Sequence, residues 1–351
     1  MRTNHMYLCL TGLVLLVLSS PGCLEVETTT RVNADGTIHR SVEISADSTT
    51  LASGDYPVAL RGRWDSMITR DGKKKARLKA SQTFPDVDAL NAAIRGEPGR
   101  TLEFRATLEE QFLWFTTTFR YEETLARFYP FDLIPITDFV SPHEIDLFLH
   151  HGMEEEPYPT PGDSLALDDA SDRFNEWEQR NRLEAFFQVL TTGVERAGDP
   201  QLTPERLASK KEEFYRLAIE EKVPSDVHQL QKKAAVLFGE APVGRAVEAN
   251  QEAFDEYDRK VQFLGSVATA GLKSHVEMPG LITDTNAPAI EGSRVSWQDF
   301  KDYCYLRDYS MWVESRVINW WAIVLTGVVL MALVALFAVS AVRRRPRVAA
   351  A

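Results

Sequence analysis

Two pairs of residues near the middle of the chain come closest to the pattern of a metal site. Glu144 follows His143, and the pair His150-His151 begins seven positions after His143. A zinc-protease motif needs histidines at positions i and i+4 of a helix, so that both rings reach one ion. Positions i and i+7 lie about 10 Å apart along a helix, which is too far for one tetrahedral zinc. We therefore interpret these residues as helix-end residues, and we predict no metal and no cofactor.

The sequence contains no recognisable catalytic motif. It lacks the Gly-x-Ser-x-Gly turn of serine hydrolases, and the segment 191–193 does not form a phosphate-binding loop. A catalytic site assembled from residues far apart in the sequence stays open. Large side chains could also line an apolar space between helices and sheet, but residues at such spacing are normally core, and we predict core. These side chains are Phe112, Trp114, Phe115, Phe186, Phe187 and Leu190.

The surroundings of Cys23 indicate a covalent modification. Residues 7–18 form an apolar run that is too short to span a bilayer, and the small-residue segment 19–22 leads to the cysteine. This arrangement resembles the lipobox of bacterial lipoproteins, in which the cysteine thiol is acylated. It departs from the usual lipobox at the second and third positions before the cysteine. We predict a signal peptide at 1–22 and lipidation of Cys23, with an ordinary cleaved signal or an uncleaved anchor as the alternatives.

The C-terminal segment indicates a membrane-spanning helix. Residues 320–342 carry no charge, and as a helix they would be about 34 Å long, enough for a hydrocarbon core of about 30 Å. Trp320 and Trp321 stand at one end, where indole rings favour the membrane interface. A soluble helix of this length would need a polar face, so we predict a transmembrane helix at 318–342. Four basic residues follow it: Arg343, Arg344, Arg345 and Arg347.

The two ends of the chain predict one topology. Lys and Arg beside a membrane helix remain in the cytoplasm, which places the tail at 343–351 inside the cell. The body at 23–317 is then extracytoplasmic, or periplasmic. We predict that it is anchored in the cytoplasmic (inner) membrane, and that the lipid bilayer is its first partner.

The body is strongly acidic. The chain has 39 Lys and Arg against 51 Asp and Glu, and five of the basic residues lie in the two ends. The body therefore has 34 basic and 51 acidic residues, a net charge of −17. Because nucleic acid requires a basic surface, this charge excludes nucleic acid as a partner. Three cysteines exclude a disulfide scaffold, and the apolar surroundings of Cys304 predict a buried, unreactive thiol.

Strand patterns dominate the two ends of the body. Alternation indicates a hairpin around the turn at 33–36, with Ile38, Arg40, Val42 and Ile44 on one face of its second strand. Further hairpins are predicted around 70–72 and within 102–121, and strands return after residue 275. These patterns predict an α+β fold with one antiparallel sheet built from the N- and C-terminal parts.

Helical patterns fill the middle of the body. A short helix is predicted at 86–95, between the second and third hairpins. Ser141 to Glu144 is a capping box that starts a helix ending near residue 152. Apolar residues at helical spacing, with start and stop signals, predict four further helices, which with the first make a helical insertion at about 141–265. Their expected positions are 168–196, 203–222, 225–238 and 243–265.

Four short segments near the C-terminal end form a strand–turn–strand signature: Met278-Pro279-Gly280, Asp284-Thr285-Asn286-Ala287, Glu291-Gly292 and Val295-Ser296-Trp297. The turn at 32–36 follows the cysteine at a similar place. Together these segments resemble the LppM-like bacterial lipoproteins. The resemblance implies a membrane-anchored envelope lipoprotein with a C-terminal spanning helix and a domain comparable to lipid-binding folds. The helical insertion departs from that family.

These observations predict a membrane-anchored cell-envelope lipoprotein that is not an enzyme and whose body binds a partner protein or an apolar ligand. Two alternatives stay open. An envelope hydrolase, with a site assembled from distant residues, would contain a concave pocket with titratable groups of shifted pKa. A structural subunit of a membrane complex would co-purify with a stable membrane partner.

Overall fold

Strands dominate the first and last parts of the body, helices fill its middle, and one long helix follows the last strand. The structure is a computed structural model, and it describes residues 24–54, 56–71, 75–150, 161–220, 226–298 and 300–343. The strands are β1 Glu25–Val32, β2 Ile38–Asp47, β3 Asp65–Asp71, β4 Lys75–Phe84, β5 Phe104–Leu113, β6 Thr116–Leu125, β7 Gly271–Glu277, β8 Leu281–Thr285, β9 Ala289–Glu291, β10 Arg294–Gln298 and β11 Tyr309–Ile318. The helices are α1 Ser48–Ser53, α2 Val87–Ile94, α3 Pro142–His150, α4 Pro161–Ala197, α5 Pro204–Ser209, α6 Lys211–Glu220, α7 Val227–Phe238, α8 Glu240–Ala249, α9 Gln251–Thr269, α10 Lys301–Cys304 and α11 Trp320–Arg343.

The strands are divided between two sheets. The larger has the order β3-β4-β2-β1-β7-β10-β9, and the smaller has the order β5-β6-β11-β8. Pairing is antiparallel except between β1 and β7, which run parallel. The predicted α+β fold, with antiparallel strands from both ends, a helical insertion and a C-terminal apolar helix, is confirmed. The strands form two sheets where one was expected, and the chain crosses from one sheet to the other after β4, β6, β7, β8 and β10.

The predicted hairpins form because their turns have the required residues. Between β1 and β2, Gly36 has a φ of +82°, and the Asp35 carboxylate accepts a hydrogen bond of 3.0 Å from the Thr37 N–H. Alternate residues of both strands are buried, in agreement with the alternation of their side chains. The hairpin of β3 and β4 is confirmed also, although its turn at 72–74 lies outside the described residues.

Helix α2 forms where its sequence predicts a helix, and it packs against β5. Asp86 caps it by accepting a hydrogen bond of 2.8 Å from the Ala89 N–H. Asn91 binds the backbone of Ala106 through both of its amide atoms, at 2.8 and 2.7 Å. These bonds hold the helix against β5.

The helical insertion extends from β6 to β7, and two of its predicted helices are each divided in two. The predicted helix at 243–265 is α8 and α9, which meet at Asn250. The Asn250 side chain turns toward α4, where it accepts 2.6 Å from Arg196 and donates 2.9 Å to the Val189 carbonyl. This buried contact favours a bend over a continuous helix. The predicted helix at 203–222 is α5 and α6, which are separated at Lys210.

A buried ion pair joins the two sheets. Arg40 on β2 donates to both carboxylate oxygens of Glu123 on β6, at 2.5 and 2.9 Å. Both side chains are almost fully buried, at 2% and 1% exposure. Thr30 accepts a further bond of 2.8 Å from Arg40, and Tyr121 donates 2.7 Å to Glu123. The sheets are therefore connected by a buried polar network inside an apolar core, in which only the Nε of Arg40 lacks a hydrogen-bond partner among the four side chains named here.

Candidate functional site

Helix α11 is the one helix of the described residues that is long and apolar enough to cross a membrane. The segment Trp320–Ser340 has 21 residues, and only 6% of its most apolar window is buried inside the protein. Trp320 and Trp321 lie at its start with 67% and 57% of their surface exposed. A helix whose apolar side chains project away from the body requires an apolar environment.

Asn319 joins this helix to the small sheet. It is the single residue between β11 and α11, and it is 9% exposed. Its backbone N–H donates 2.8 Å to the carbonyl of Phe115, and its side-chain amide donates 3.0 Å to the carbonyl of Trp114. Its side-chain oxygen accepts 3.2 Å from the Thr117 hydroxyl. The turn between β5 and β6 is therefore bound to the first residues of the apolar helix.

Aromatic side chains extend this junction along the helix. Phe112 stacks on Trp321 with 6.1 Å between ring centroids and an angle of 9° between the planes. Trp114 meets Trp321 edge-on at 5.6 Å. The Trp114 indole N–H donates 3.0 Å to the hydroxyl of Thr326, which lies six residues into the helix. We call Phe112, Trp114, Asn319, Trp321 and Thr326 the junction cluster.

The prediction that Phe112, Trp114 and Phe115 are core residues, or line an internal space, is wrong. They lie at the tip of the β5–β6 hairpin and are 45–52% exposed. Leu113 pairs with Thr116, so Trp114 and Phe115 form a two-residue turn, in which Trp114 has a φ of +48°. Turns of this kind normally contain Gly or Asn. Because both turn residues are apolar here, the sequence pattern indicates a strand at this position and not a turn. The other three residues of that set are core as predicted: Phe186, Phe187 and Leu190.

Sequence reasoning missed the junction cluster, although two signals could have indicated it. One signal is four consecutive apolar residues, 112–115, in a hairpin that has no Gly, Asn or Pro to make its turn. The other is an amide residue, Asn319, between an alternating strand and the tryptophans of an apolar helix. Such a position needs hydrogen-bond partners for its backbone, and the hairpin turn supplies them.

The predicted modification site and the predicted basic tail stay predictions. Cys23 and the signal segment 1–22 lie outside the described residues, as does the tail from 344 onward. That tail includes Arg344, Arg345 and Arg347. Arg343 is the last residue of α11, and its side chain is also outside the description.

Of the residues considered for a metal site, Glu144 has other contacts. Glu144 forms the predicted capping box with Ser141, at 2.8 Å from the Ser141 N–H, and accepts 2.6 Å from Arg173 on α4. The hydrogen bond from Arg173 lowers the pKa of Glu144 to about 2. His143 is exposed, and the ring of His150 and all of His151 lie outside the description. Within the described ranges, no three His, Cys, Asp or Glu side chains are placed to hold a metal ion.

A hydrolase would need a concave pocket, and two clefts lie on the described part of the chain. One, of about 240 Å³, lies between the loop at 98–103 and the start of the helical insertion, and its charged lining includes Arg127, Glu256 and Lys260. The other is shallow, about 550 Å³, and lies over β2, β3 and β4. His39 in the second cleft pairs with the Thr83 hydroxyl at 3.0 Å rather than with a carboxylate, among the contacts that the structure describes. Among the contacts described in either cleft, no serine–histidine–carboxylate chain of hydrogen bonds is present, as a triad hydrolase would need.

Cys304 is a fully buried thiol, as predicted from its neighbours. It is 0% exposed, and its sulfur lies 3.5 Å from the Phe300 carbonyl. Burial raises the pKa of the thiol, because the thiolate would lose its hydration. The reactive form is therefore both scarce and inaccessible.

We expect Cys304 to resist alkylation by a water-soluble maleimide in the native protein and to react once urea unfolds the body. Burial and the raised pKa both oppose attack. Mass spectrometry of the peptide that contains Cys304 measures the reaction, and a Cys304→Ala chain provides the background from other cysteines. Native-state labelling as fast as that of a free peptide cysteine would contradict the expectation.

Comparison with known proteins gives one weak likeness. No family model matches the sequence, and no curated protein matches it. Among solved structures, the chain matches the folded domain of a mycobacterial protein over 86% of its own length and 95% of that domain. That domain is LppM of Mycobacterium tuberculosis, solved by NMR, with 12% sequence identity and a TM-score of 0.26. The resemblance is weak and at the level of fold, and no function follows from it.

Proposed function

We propose that this protein is a cell-envelope protein of the cytoplasmic membrane, anchored by α11, with its body outside the cytoplasm. The observation that carries the proposal is the exposed apolar helix, whose side chains have no protein surface to cover them. The arginines that follow the helix support a cytoplasmic C-terminus. The hydrogen bonds of Asn319 support a body held close to the membrane surface.

We further propose that Cys23 carries a lipid and that the body acts by binding a partner protein or an apolar ligand. The lipid would add a second anchor at the start of β1, since one acyl chain alone holds a protein only marginally. A binding role is favoured over hydrolysis by the geometry of the two clefts and by the Thr83 partner of His39. A structural subunit of a membrane complex is the second candidate, and co-purification of a stable membrane partner would favour it.

Extraction and topology measurements test the anchor. We expect the full chain to remain in the membrane pellet after alkaline carbonate. A chain that ends at Asn319, and whose residues 1–23 are replaced by a cleavable secretory signal, should be released, because it lacks both α11 and the proposed lipid but keeps β11. A chain with the same replacement of residues 1–23 that ends at Arg345 retains the helix and is the matched control. Release of the full chain by carbonate would contradict the anchor.

Reporter fusions test the orientation. A cytoplasm-active reporter fused after Ala351 should be active, and an export-dependent phosphatase at the same place should be inactive. The reverse pattern would invert the topology. Lipidation is tested separately by incorporation of labelled palmitate, which we expect to disappear in Cys23→Ala while the carbonate result is unchanged.

A further inference from the structure

Exposed apolar side chains gather at one end of the small sheet. Of eleven large apolar side chains that are exposed outside α11 in the described part of the chain, six lie at this end. We call these six the apolar rim: Phe112, Leu113, Trp114, Phe115, Leu281 and Ile318. Contiguous exposed apolar surface of this kind marks a site that contacts another protein, an apolar ligand or a membrane.

Strand pairing places the rim residues side by side. Thr116 pairs with both Leu113 and Ile318, so the β5–β6 turn and the end of β11 are neighbours. Leu281, at the start of β8, pairs with Arg316, two residues before Ile318. The rim residues therefore lie along one end of the small sheet, on β5, on the β5–β6 turn, on β11 and on β8.

The rim lies beside the apolar helix and extends along it. Trp114 reaches Thr326, which is six residues beyond Trp320, or about 9 Å along the helix axis. If Trp320 and Trp321 lie at the interface, Thr326 is within the hydrocarbon region, whose thickness is about 30 Å. The hairpin tip must then lie at the same depth as Thr326.

Two local features of Trp114 agree with that depth. Its indole N–H, which would have no partner among acyl chains, is bonded to the Thr326 hydroxyl. Its φ of +48° is in the left-handed region, which is unfavourable for a bulky side chain and normally taken by glycine. Such strain persists where the surroundings enforce it, and it occurs frequently at functional positions.

We propose that the apolar rim is immersed in the extracytoplasmic leaflet, where phospholipid acyl chains cover it. The continuity of the rim with α11 identifies the bilayer as its occupant. Glu109 and Glu110 lie just before the tip on β5. Their negative charges would be repelled by anionic headgroups, so charge attraction does not account for the binding. The contact is apolar, and with Asn319 it fixes the orientation of the body on the membrane. This inference rests on the proposed function, because α11 must span the bilayer.

Spin labelling in lipid nanodiscs tests the inference on the full chain. Nitroxides are attached in a Cys304→Ala chain at Leu113→Cys in the rim, Leu330→Cys in the middle of α11, and Met67→Cys on β3. Met67 is the matched control, since it is an exposed apolar residue of the other sheet. Phosphatidylcholine nanodiscs avoid any contribution from anionic lipid. Collision with oxygen reports acyl chains, and collision with a water-soluble nickel chelate reports water; the parent chain without an added cysteine gives the background.

We expect the labels at 113 and 330 to show several-fold more oxygen collision and several-fold less nickel collision than the label at 67. A lipid signal at 330 with a water signal at 113 would overturn the rim proposal and leave the anchor intact. A water signal at 330 would overturn both. Protection of 113 from both reagents would overturn the proposal in favour of coverage by protein, such as a second copy. Phe115→Cys repeats the measurement should the label at 113 disturb the turn.

Discussion

Replacing Glu123 with leucine is expected to lower the free energy of unfolding of the body by about 3–5 kcal/mol. The substitution leaves the Arg40 guanidinium buried at 2% exposure without its carboxylate. A guanidinium cannot lose its proton to escape this penalty, so the charge stays in the core. Urea unfolding of the full chain in detergent, followed by circular dichroism, measures the change.

The reverse substitution is expected to cost less. Arg40→Met leaves a buried carboxyl group, which can take up a proton and become neutral. The double variant, Arg40→Met with Glu123→Leu, removes both charges, and we expect it to recover most of the lost stability. A double variant as unstable as Glu123→Leu alone would show that the loss came from packing and not from the unpaired charge.

An exposed ion pair provides the control. Arg61 and Glu97 lie 2.8 Å apart, with side chains 47% and 52% exposed. Because water replaces the lost partner at the surface, Glu97→Ala should cost no more than about 1 kcal/mol. An effect as large as that of Glu123→Leu would contradict the role assigned to burial.

Local elements followed from short sequence signals because their causes are local. Asp86 caps α2, Thr203 caps α5 with a bond of 3.3 Å to the Arg206 N–H, and the predicted turn at 33–36 contains Gly36 with positive φ. In each case the side chain and the backbone group that it satisfies lie within a few residues. Because the interacting groups are close along the chain, these contacts do not depend on the tertiary structure.

The division of the strands into two sheets could not be predicted in the same way. Arg40 was placed by alternation on the inward face of its strand, and it lies there, but its partner Glu123 is 83 residues away in sequence. Nothing near Arg40 indicates which acidic residue would join it in the core. The parallel pairing of β1 with β7 is similarly distant, since it joins Glu25 to Gly271. Long-range pairing depends on packing of the whole chain, which local patterns do not contain.

The junction cluster shows how a pattern can favour the wrong structure. The residues around Trp114 satisfy the apolar pattern of a buried strand on both faces. The pattern therefore does not place the turn of the predicted hairpin at Trp114 and Phe115, where the usual turn residues are absent. In the structure these apolar residues lie beside helix α11 and are exposed. In the proposed membrane setting, apolar residues beside α11 are exposed to lipid, so hydrophobicity alone does not indicate burial inside the protein.

Gly280→Ala is expected to lower the free energy of unfolding by about 2–5 kcal/mol, because it combines backbone strain with a steric clash. Gly280 has a φ of +82° at the crossing from β7 in one sheet to β8 in the other. A Cβ there would lie 2.3 Å from the Arg316 carbonyl oxygen and 2.9 Å from a Val317 methyl carbon. Both neighbours belong to β11, the strand that leads to Asn319, so the crossing cannot move away without disturbing the junction.

Gly292→Ala separates the two contributions. Gly292 also has positive φ, +64°, but nothing lies within 4 Å of the position that its Cβ would take. It should therefore show only the cost of the left-handed conformation, about 1–2 kcal/mol. The sequence marks both glycines as turn residues and cannot distinguish them, since the crowding at Gly280 comes from a strand more than thirty residues later. Urea unfolding of matched full-length chains measures both effects. Equal effects of the two substitutions would mean that β11 shifts to make room for the added Cβ at position 280. The junction would then be less rigid than its hydrogen bonds indicate.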